Sequence, residues 1–197
     1  MSDVSSQPFT RQEVRTFLPV ADRMIYIRRD RSRDDRFYGR LMRVFLTFGP
    51  HPSVLPSWGS DTNLFIRPTA RGDRMYFRWD RPKIQALHRA VEIEVPQDYR
   101  PWLPAFLDQP KPVSEWSYWT LFKNVEVELF AETGYSIPMN PRRARHTCAR
   151  EMLEAGFSAI DVMAAIRVTP HTLETYAMST PEQRGEKAEK VGWGSWA

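Results

Sequence analysis

The hydrophobic period of the sequence changes twice, and this order constrains the fold more than any other feature. In the first fifty residues, apolar side chains recur every three or four positions. The clearest stripe consists of Phe37, Leu41, Val44, Phe45 and Phe48, and Gly49-Pro50 ends it. Short runs rich in aromatic and β-branched residues follow at 63–67, 75–79 and 90–95. Helical spacing then returns. We predict an α+β domain, mainly α-helical, with a small three-stranded antiparallel sheet.

Capping residues predict where the helices begin and end. Thr10-x-x-Glu13 is a capping box that opens the first helix, which Pro19 is expected to bend or end. The charged run 28–36 is expected to be a solvated loop or a helix start, and 97–112 a broken helix or packed loop. The later predicted helices are 114–133, then one opened by Asn140-Pro141 and closed by Gly156, then 158–166 and 169–178. The predicted organisation is an N-terminal tail at 1–9, one domain at 10–180 and a C-terminal tail at 181–197.

The charges are unevenly distributed along the chain. Residues 1–100 contain 18 basic and 12 acidic side chains, whereas residues 101–197 contain 10 and 12. Only five of the 28 basic residues are lysines, and arginine is better suited than lysine to bidentate contact with phosphate. This pattern is compatible with nucleic-acid binding, and also with the solvated surface of an arginine-rich protein.

Composition excludes several other classes. The single cysteine, Cys148, excludes an internal disulfide and any cysteine-based zinc site, and a cytoplasmic location is expected. No uninterrupted apolar stretch approaches 18 residues, and the first nine residues lack a signal-peptide pattern, so no membrane association is expected. No cluster of Asp, Glu and His suggests a metal site, and no small-molecule substrate is predicted.

Three segments together resemble the catalytic domain of the tyrosine recombinase, or phage integrase, family. The first is 47–55, Thr-Phe-Gly-Pro-His-Pro-Ser-Val-Leu, which follows a helix as the family's Thr-Gly-x-Arg-x-Ser-Glu-Leu pattern does. The second is 79–83, Trp-Asp-Arg-Pro-Lys, between two predicted strands, where the family has a catalytic lysine. The third contains Arg145-His146-Thr147, then Leu153-x-x-Gly156, then Thr172-Leu173-x-x-Tyr176. The Gly-x-His-Pro-Ser and Arg-Pro-Lys patterns resemble those of archaeal members of the family.

The resemblance implies a site-specific recombinase of a mobile genetic element that needs no metal or cofactor. It implies that Tyr176 is the nucleophile, that Arg145 and Lys83 are catalytic, and that double-stranded DNA is the partner, with self-association on DNA. The family's first catalytic arginine falls on His51 and the histidine of its His-x-x-Arg motif falls on Arg142, so the active-site match is partial. The predicted catalytic residues are Tyr176, Arg145, Lys83, Arg142 and His51. The predicted additional DNA contacts are Arg143, Arg167 and Arg81.

The chemistry of DNA strand transfer explains why these residue types are expected together. A tyrosine with a pKa near 10 is a weak nucleophile at neutral pH, so the phosphate must be held by cations that take up developing charge. Arg142 and Arg145 are three residues apart on one predicted helix and therefore lie on the same side. Lys83 could protonate the leaving 5′ oxygen.

Three alternatives use the same residues. A non-catalytic DNA-binding protein derived from the recombinase fold would keep the basic surface without cleavage. Segment 160–177 also resembles a helix-turn-helix, with 170–178 as its second helix, although arginine stands where glycine is usual at the turn. A structural or assembly protein with a basic face would need no site.

In the C-terminal tail, Trp193 and Trp196 are expected to dock on protein, in this molecule or in a neighbour.

Overall fold

The computed structural model describes residues 7–27, 33–78, 92–112, 114–166, 170 and 173. It confirms a mainly helical α+β architecture with a small antiparallel sheet. The helices are α1 (Arg11–Arg23), α2 (Phe37–Phe48), α3 (Ser60–Asn63), α4 (Leu103–Asp108), α5 (Glu115–Thr133), α6 (Pro141–Glu154) and α7 (Ala159–Ile166). The strands are β1 (Tyr26–Ile27), β2 (Arg33–Asp34), β3 (Leu64–Thr69), β4 (Gly72–Arg78) and β5 (Glu92–Glu94). Among these described segments, no helix is long and apolar enough to cross a membrane.

Helix α2 lies at the centre of the helical layer. It contacts α1 and α6, and α5 contacts the same two helices. Eight of its twelve residues are buried, so its apolar surface extends well beyond one stripe. A Cβ built on Gly39 would lie 2.0 Å from the Asp22 Oδ1 atom of α1. This glycine therefore permits the close approach of α1, which the bidentate ion pair between Arg43 and Asp22 also holds.

Aromatic rings connect the helices to the sheet. The Phe45 ring lies 5.1 Å from the Phe122 ring, edge to face, and Phe48 lies 4.3 Å from Phe77 of β4. The Trp58 ring, on the segment between α2 and α3, lies 4.7 Å from the same Phe77 ring. All five side chains are buried. The C-terminal end of α2 is therefore fixed directly against the sheet.

The three-stranded sheet has the order β3-β4-β5, antiparallel throughout. The register pairs Phe65 with Tyr76 across β3 and β4, and Phe77 with Ile93 across β4 and β5. Gly72 begins β4 with φ of +96°, a conformation that glycine adopts without strain. Because side chains alternate along a strand, one face of the sheet packs on the core through Phe77 and the other is turned outward.

The predicted capping residues set the observed helix boundaries. Thr10 and Glu13 form both bonds of the capping box, with Glu13 N donating to Thr10 Oγ1 over 3.1 Å and Thr10 N donating to Glu13 Oε2 over 2.6 Å. Ser114 caps α5, and Gly134, with φ of +73°, ends it. Asn140 caps α6, which ends two residues before Gly156. The predicted helix at 158–166 corresponds to α7.

The structure makes three local expectations more specific. Pro19 lies inside α1 and does not end it, because Pro19 and Arg15 are both exposed and water can satisfy the carbonyl that loses its partner. The part of the charged run at Arg33–Asp34 forms strand β2, which pairs with β1. Phe9, placed in the predicted tail, is fully buried beside Phe17, so the packed part of the chain begins before residue 10.

Candidate active site and DNA interface

Three arginines in the first turns of α6 point in different directions around the helix axis. Asn140 Oδ1 accepts the Arg143 N–H over 2.8 Å, and Pro141 occupies the first turn, where a missing N–H costs nothing. Successive residues are rotated by about 100°, so Arg142 and Arg145 lie about 60° apart, while Arg143 lies about 100° from Arg142 and about 160° from Arg145. Arg142 is exposed, Arg145 is half-buried and Arg143 is only 2% exposed.

The predicted DNA contact of Arg143 is corrected by this placement. Its guanidinium donates to the carbonyl oxygens of Gln7 over 2.9 Å and Pro138 over 2.8 Å. Its Nη2 also donates to both carboxylate oxygens of Glu13, over 2.9 and 3.0 Å, and the guanidinium lies 4.2 Å from the centroid of the Phe9 ring. With its donors engaged inside the protein, Arg143 joins the N-terminal segment to α6 and does not face a phosphate.

Arg145 occupies the side of α6 that faces α7. Its Nη2 donates to the backbone carbonyl of Ile166, the last residue of α7. The neighbouring thiol of Cys148 is fully buried and donates to the carbonyl of Thr47 over 3.2 Å. Burial raises the pKa of the Cys148 thiol to about 12, although the charge of Arg145 acts in the opposite direction. Cys148 is therefore a protonated packing residue at neutral pH and not a nucleophile.

His51 lies in the loop that follows α2 and closes a local turn. Its carbonyl accepts the N–H groups of Val54 and Leu55, over 2.9 and 3.3 Å. Its Nδ1 lies 2.7 Å from Ser53 Oγ and accepts the Ser53 N–H over 3.3 Å. Because Nδ1 is an acceptor here, the neutral ring carries its proton on Nε2, which is a hydrogen-bond donor. His51 thus caps this turn through its backbone carbonyl and its Nδ1 atom.

Close packing brings the His51 loop and the Arg145 region together. Gly49, two residues before His51, adopts φ of +55° at the end of α2. A Cβ built on Gly49 would lie 2.6 Å from Ile166 Cγ2 and 3.1 Å from Cys148 Sγ. The start of the loop therefore touches both α6 and the residue whose carbonyl accepts from Arg145. The structure assembles the segments that carry His51, Arg142 and Arg145 on neighbouring elements.

Four predicted site residues lie outside the described part of the chain. They are Tyr176, Lys83, Arg81 and Arg167. The predicted helix-turn-helix turn and the two tail tryptophans, Trp193 and Trp196, also lie outside it. Among the described residues, no group of three or more His, Cys, Asp or Glu side chains is arranged to hold a metal ion.

Sequence reasoning missed one set of charged residues. Arg67, Arg74 and Arg78 project from the outward face of the sheet, beside Phe65 and Tyr76. Their period-two spacing within β3 and β4 is the signal that could have identified them, because it places basic and aromatic side chains on one face.

The comparisons with known proteins give structural matches alone. No protein-family model matches the sequence, and no curated protein matches it significantly. A solved fragment of the Tn1549 transposon integrase, in complex with circular intermediate DNA, matches with a TM-score of 0.60 at 15% identity, over 95% of this chain and 67% of that chain. A variant of that integrase in complex with transposon right end DNA matches with a TM-score of 0.59 at 16% identity, over 94% and 66%.

These matches extend over nearly the whole of this chain and about two thirds of the integrase fragment. At this level of sequence identity, similarity of structure establishes the fold and leaves the activity to be tested. The protein has the fold of a tyrosine recombinase catalytic domain, as the three sequence segments predicted.

Proposed function

We propose that this protein is a DNA-binding, integrase-like recombinase that breaks and rejoins DNA through a phosphotyrosyl intermediate. The observation that supports it best is the arrangement of α6. This helix turns Arg142 and Arg145 away from the buried Arg143, and Arg145 donates to the carbonyl of Ile166. Ile166 precedes Tyr176 by ten residues in the sequence.

The two outward arginines are suited to hold one phosphodiester. Arg142 is exposed and has no ion pair within the described residues, so its guanidinium can bind an anion without first losing a partner among them. Arg145 is held in place through Ile166 and is half-buried, so its charge is less screened than that of an exposed arginine. Together they supply positive charge where a phosphate develops additional negative charge during transfer.

In the proposed reaction, the Tyr176 phenol oxygen attacks the phosphorus and loses its proton to water. The bond from phosphorus to the 5′ oxygen breaks, and Lys83 donates a proton to that oxygen and then regains one from water. The products are a 3′-phosphotyrosyl link and a free 5′ hydroxyl. Attack of a 5′ hydroxyl on the phosphotyrosyl bond reverses these changes and rejoins a strand. The reaction conserves the number of phosphodiester bonds and needs no external energy source.

His51 makes the proposed reaction slow. An imidazole has at most two donors where a guanidinium has five, and the Nδ1 of His51 is engaged with Ser53. Loss of one transition-state donor lowers a rate by a factor of about 10²–10³. His51→Arg should therefore accelerate cleavage by up to about that factor.

The engagement of the His51 Nδ1 atom with Ser53 also favours a second candidate function. If the turn-capping role of His51 is its entire role, the domain binds DNA without cutting it and acts as a regulatory or architectural relative of the recombinases. Both functions place the protein on double-stranded DNA. The recombinase function also includes self-association on DNA, in which Trp193 and Trp196 dock on a neighbouring subunit.

Covalent trapping on nicked suicide substrates separates the two functions. A nick close to the cleaved bond lets the short 5′-hydroxyl strand diffuse away, so that the covalent adduct accumulates and appears as a shifted band on a denaturing gel. We expect an adduct with the wild-type chain, none with Tyr176→Phe, and an unchanged yield with Tyr135→Phe, which alters a tyrosine that is 71% exposed.

Duplex affinity of the same proteins, measured by mobility shift, completes the test. Tyr176→Phe should keep wild-type affinity because the phenol contributes no charge. If no adduct forms with the wild-type chain or with His51→Arg between about pH 6 and 9, while salt-dependent duplex binding persists, the non-catalytic function is the correct one.

A further inference from the structure

The outward face of the three-stranded sheet carries an ordered set of arginines that the proposed reaction does not use. We call this surface the arginine face; it consists of Phe65, Arg67, Arg74, Tyr76, Arg78, Glu92, Glu94 and Arg100. The strand register places Arg67 opposite Arg74 and Arg78 opposite Glu92. The opposite face holds the buried Phe77, so the alternation of β4 turns its arginines away from the core.

Two of these arginines are stacked on aromatic rings. The Arg67 Cζ atom lies 4.9 Å from the centroid of the Phe65 ring and 5.3 Å from that of Tyr76. The Arg78 Cζ atom lies 4.7 Å from the centroid of Phe65. The two rings are themselves stacked, with centroids 5.8 Å apart and planes inclined by 16°. Stacking fixes the guanidinium groups before a ligand arrives, which lowers the entropic cost of binding.

The carboxylate of Glu92 forms ion pairs with both stacked arginines. Glu92 Oε2 accepts from Arg67 Nη2 over 2.7 Å, and Glu92 Oε1 accepts from Arg78 Nε and Nη2 over 3.0 and 2.7 Å. The Glu92 side chain is 21% exposed, whereas Arg67 and Arg78 are 50% and 44% exposed. The negative charge therefore lies deeper than the positive charges, and the Nη1 group of Arg78 has no partner in the described part of the chain.

A second carboxylate, that of Glu94, is also shared by two arginines. Glu94 accepts from Arg74 Nη1 over 2.5 Å and from Arg100 Nη2 over 2.7 Å. Four arginines thus share two carboxylates, and the face carries an excess of two positive charges. An excess of fixed, outward guanidinium groups is complementary to a ligand with regularly spaced anionic oxygens.

The covered rings exclude one class of nucleic-acid contact. Phe65 has guanidinium groups over it, so a base could stack on it only by displacing them. A duplex keeps its bases inside and presents phosphates outside, which matches the arginine face better than an unstacked single strand does. The sheet is also anchored beside the candidate site, because Phe77 packs on Phe48, three residues before His51.

We propose that the arginine face binds the phosphodiester backbone of duplex DNA, without sequence preference, through Arg67 and Arg78. This inference rests on the proposed function in one respect, since it assumes that the protein binds duplex DNA. It adds a second anchoring surface, separate from α6, and assigns Glu92 the role of holding the two guanidinium groups in register.

The salt dependence of binding to a 30-base-pair duplex of arbitrary sequence tests the proposal. Each phosphate contact contributes about 0.9 to the slope of log K against log salt concentration. Arg67→Gln/Arg78→Gln should therefore reduce the slope by about 2 and weaken binding roughly 50-fold at 0.1 M salt. The matched control is Arg23→Gln/Lys123→Gln. Arg23, the last residue of α1, and Lys123, in α5, are also ion-paired, and their side chains are 59% and 63% exposed. The control should keep the wild-type slope.

Chemical footprinting of the wild-type chain provides a second measurement that does not depend on the folding of a variant. Phenylglyoxal modifies accessible guanidinium groups, and mass spectrometry of peptides locates the modified residues. The duplex should protect Arg67 and Arg78 and leave Arg23 reactive.

The possible outcomes distinguish this inference from the proposed function. Wild-type binding with an unchanged slope in the arginine-face variant, or equal losses in both double variants, overturns the inference and leaves the proposed function standing. Absence of footprint protection at Arg67 and Arg78 during duplex binding overturns it too. If the wild-type chain shows no salt-dependent duplex binding, both proposals are wrong.

Discussion

Replacing Arg143 with alanine tests how the N-terminal segment is fixed to α6. The substitution removes a side chain that is 2% exposed and donates to Gln7, Pro138 and Glu13. It removes the donor to three backbone carbonyls, those of Gln7, Pro8 and Pro138, and leaves the Glu13 carboxylate with the Thr10 N–H. Removing one partner of a buried ion pair costs about 3–5 kcal/mol. The Glu13 side chain is 23% exposed and can recover some hydration, so we expect the lower end, about 3 kcal/mol.

Urea unfolding followed by circular dichroism measures this loss directly. At this chain length each kcal/mol lowers the melting temperature by about 2–4 °C, so a thermal scan should show a decrease of about 6–12 °C. The matched control is Arg142→Ala, one residue earlier on the same helix and exposed, which should change the free energy of unfolding by less than about 0.5 kcal/mol.

A double-mutant cycle with Glu13→Gln assigns the loss to the ion pair. Contacting charged residues in one network couple by about 0.5–3 kcal/mol, and the pair here should lie in the upper half of that range. The reasoning is refuted if Arg143→Ala unfolds at the wild-type urea concentration, or if Arg142→Ala costs as much as Arg143→Ala.

Two further predictions concern the contact between the His51 loop and α6. Burial raises the pKa of the Cys148 thiol to about 12, so the folded state keeps a proton that the unfolded chain releases above a pKa of about 8.5. The free energy of unfolding should therefore fall as the pH rises from about 8.5 towards 12, by up to about 1.4 kcal/mol per pH unit, and urea titrations of Cys148→Ala should show a shallower fall. Gly49→Ala should cost about 2 kcal/mol more than Gly134→Ala, because both glycines have positive φ but a Cβ at Gly49 would meet Ile166 and one at Gly134 has nothing within 4 Å. Equal urea midpoints for the two alanine variants would show that the loop is not packed as described.

The features that the sequence predicted correctly are those fixed by local interactions. The capping box of Thr10 and Glu13 and the cap of Ser114 act within one turn, so their residue types suffice to place helix starts. Gly134 ends α5 through its own left-handed conformation. The three-stranded sheet followed in the same way from short runs rich in aromatic and β-branched residues. Each of these signals is complete within a few neighbouring positions.

The features that could not be predicted from the sequence depend on residues that are far apart in the chain. The carbonyl of Gln7 accepts from Arg143, 136 positions later, and no local pattern distinguishes this arginine from its neighbour Arg142. An arginine in a charged helix start is typical of a solvated surface, so its burial required knowledge of the N-terminal segment. Helix α5 presents a similar difficulty, because Trp116 and Phe130 are exposed although their types favour burial.

The buried Arg143 and the two outward arginines are consequences of one geometric constraint. The bonds from Arg143 to the N-terminal segment and to Pro138 fix the rotation of α6 about its own axis. Once that rotation is fixed, the steps of about 100° per residue place Arg142 about 100° and Arg145 about 160° from Arg143, so that neither shares its buried side. The bond from Arg145 to Ile166 then fixes the end of α7 relative to the same helix. Residues 7–13 therefore contribute to the geometry of the candidate site without entering it, since they set the direction in which its two arginines face.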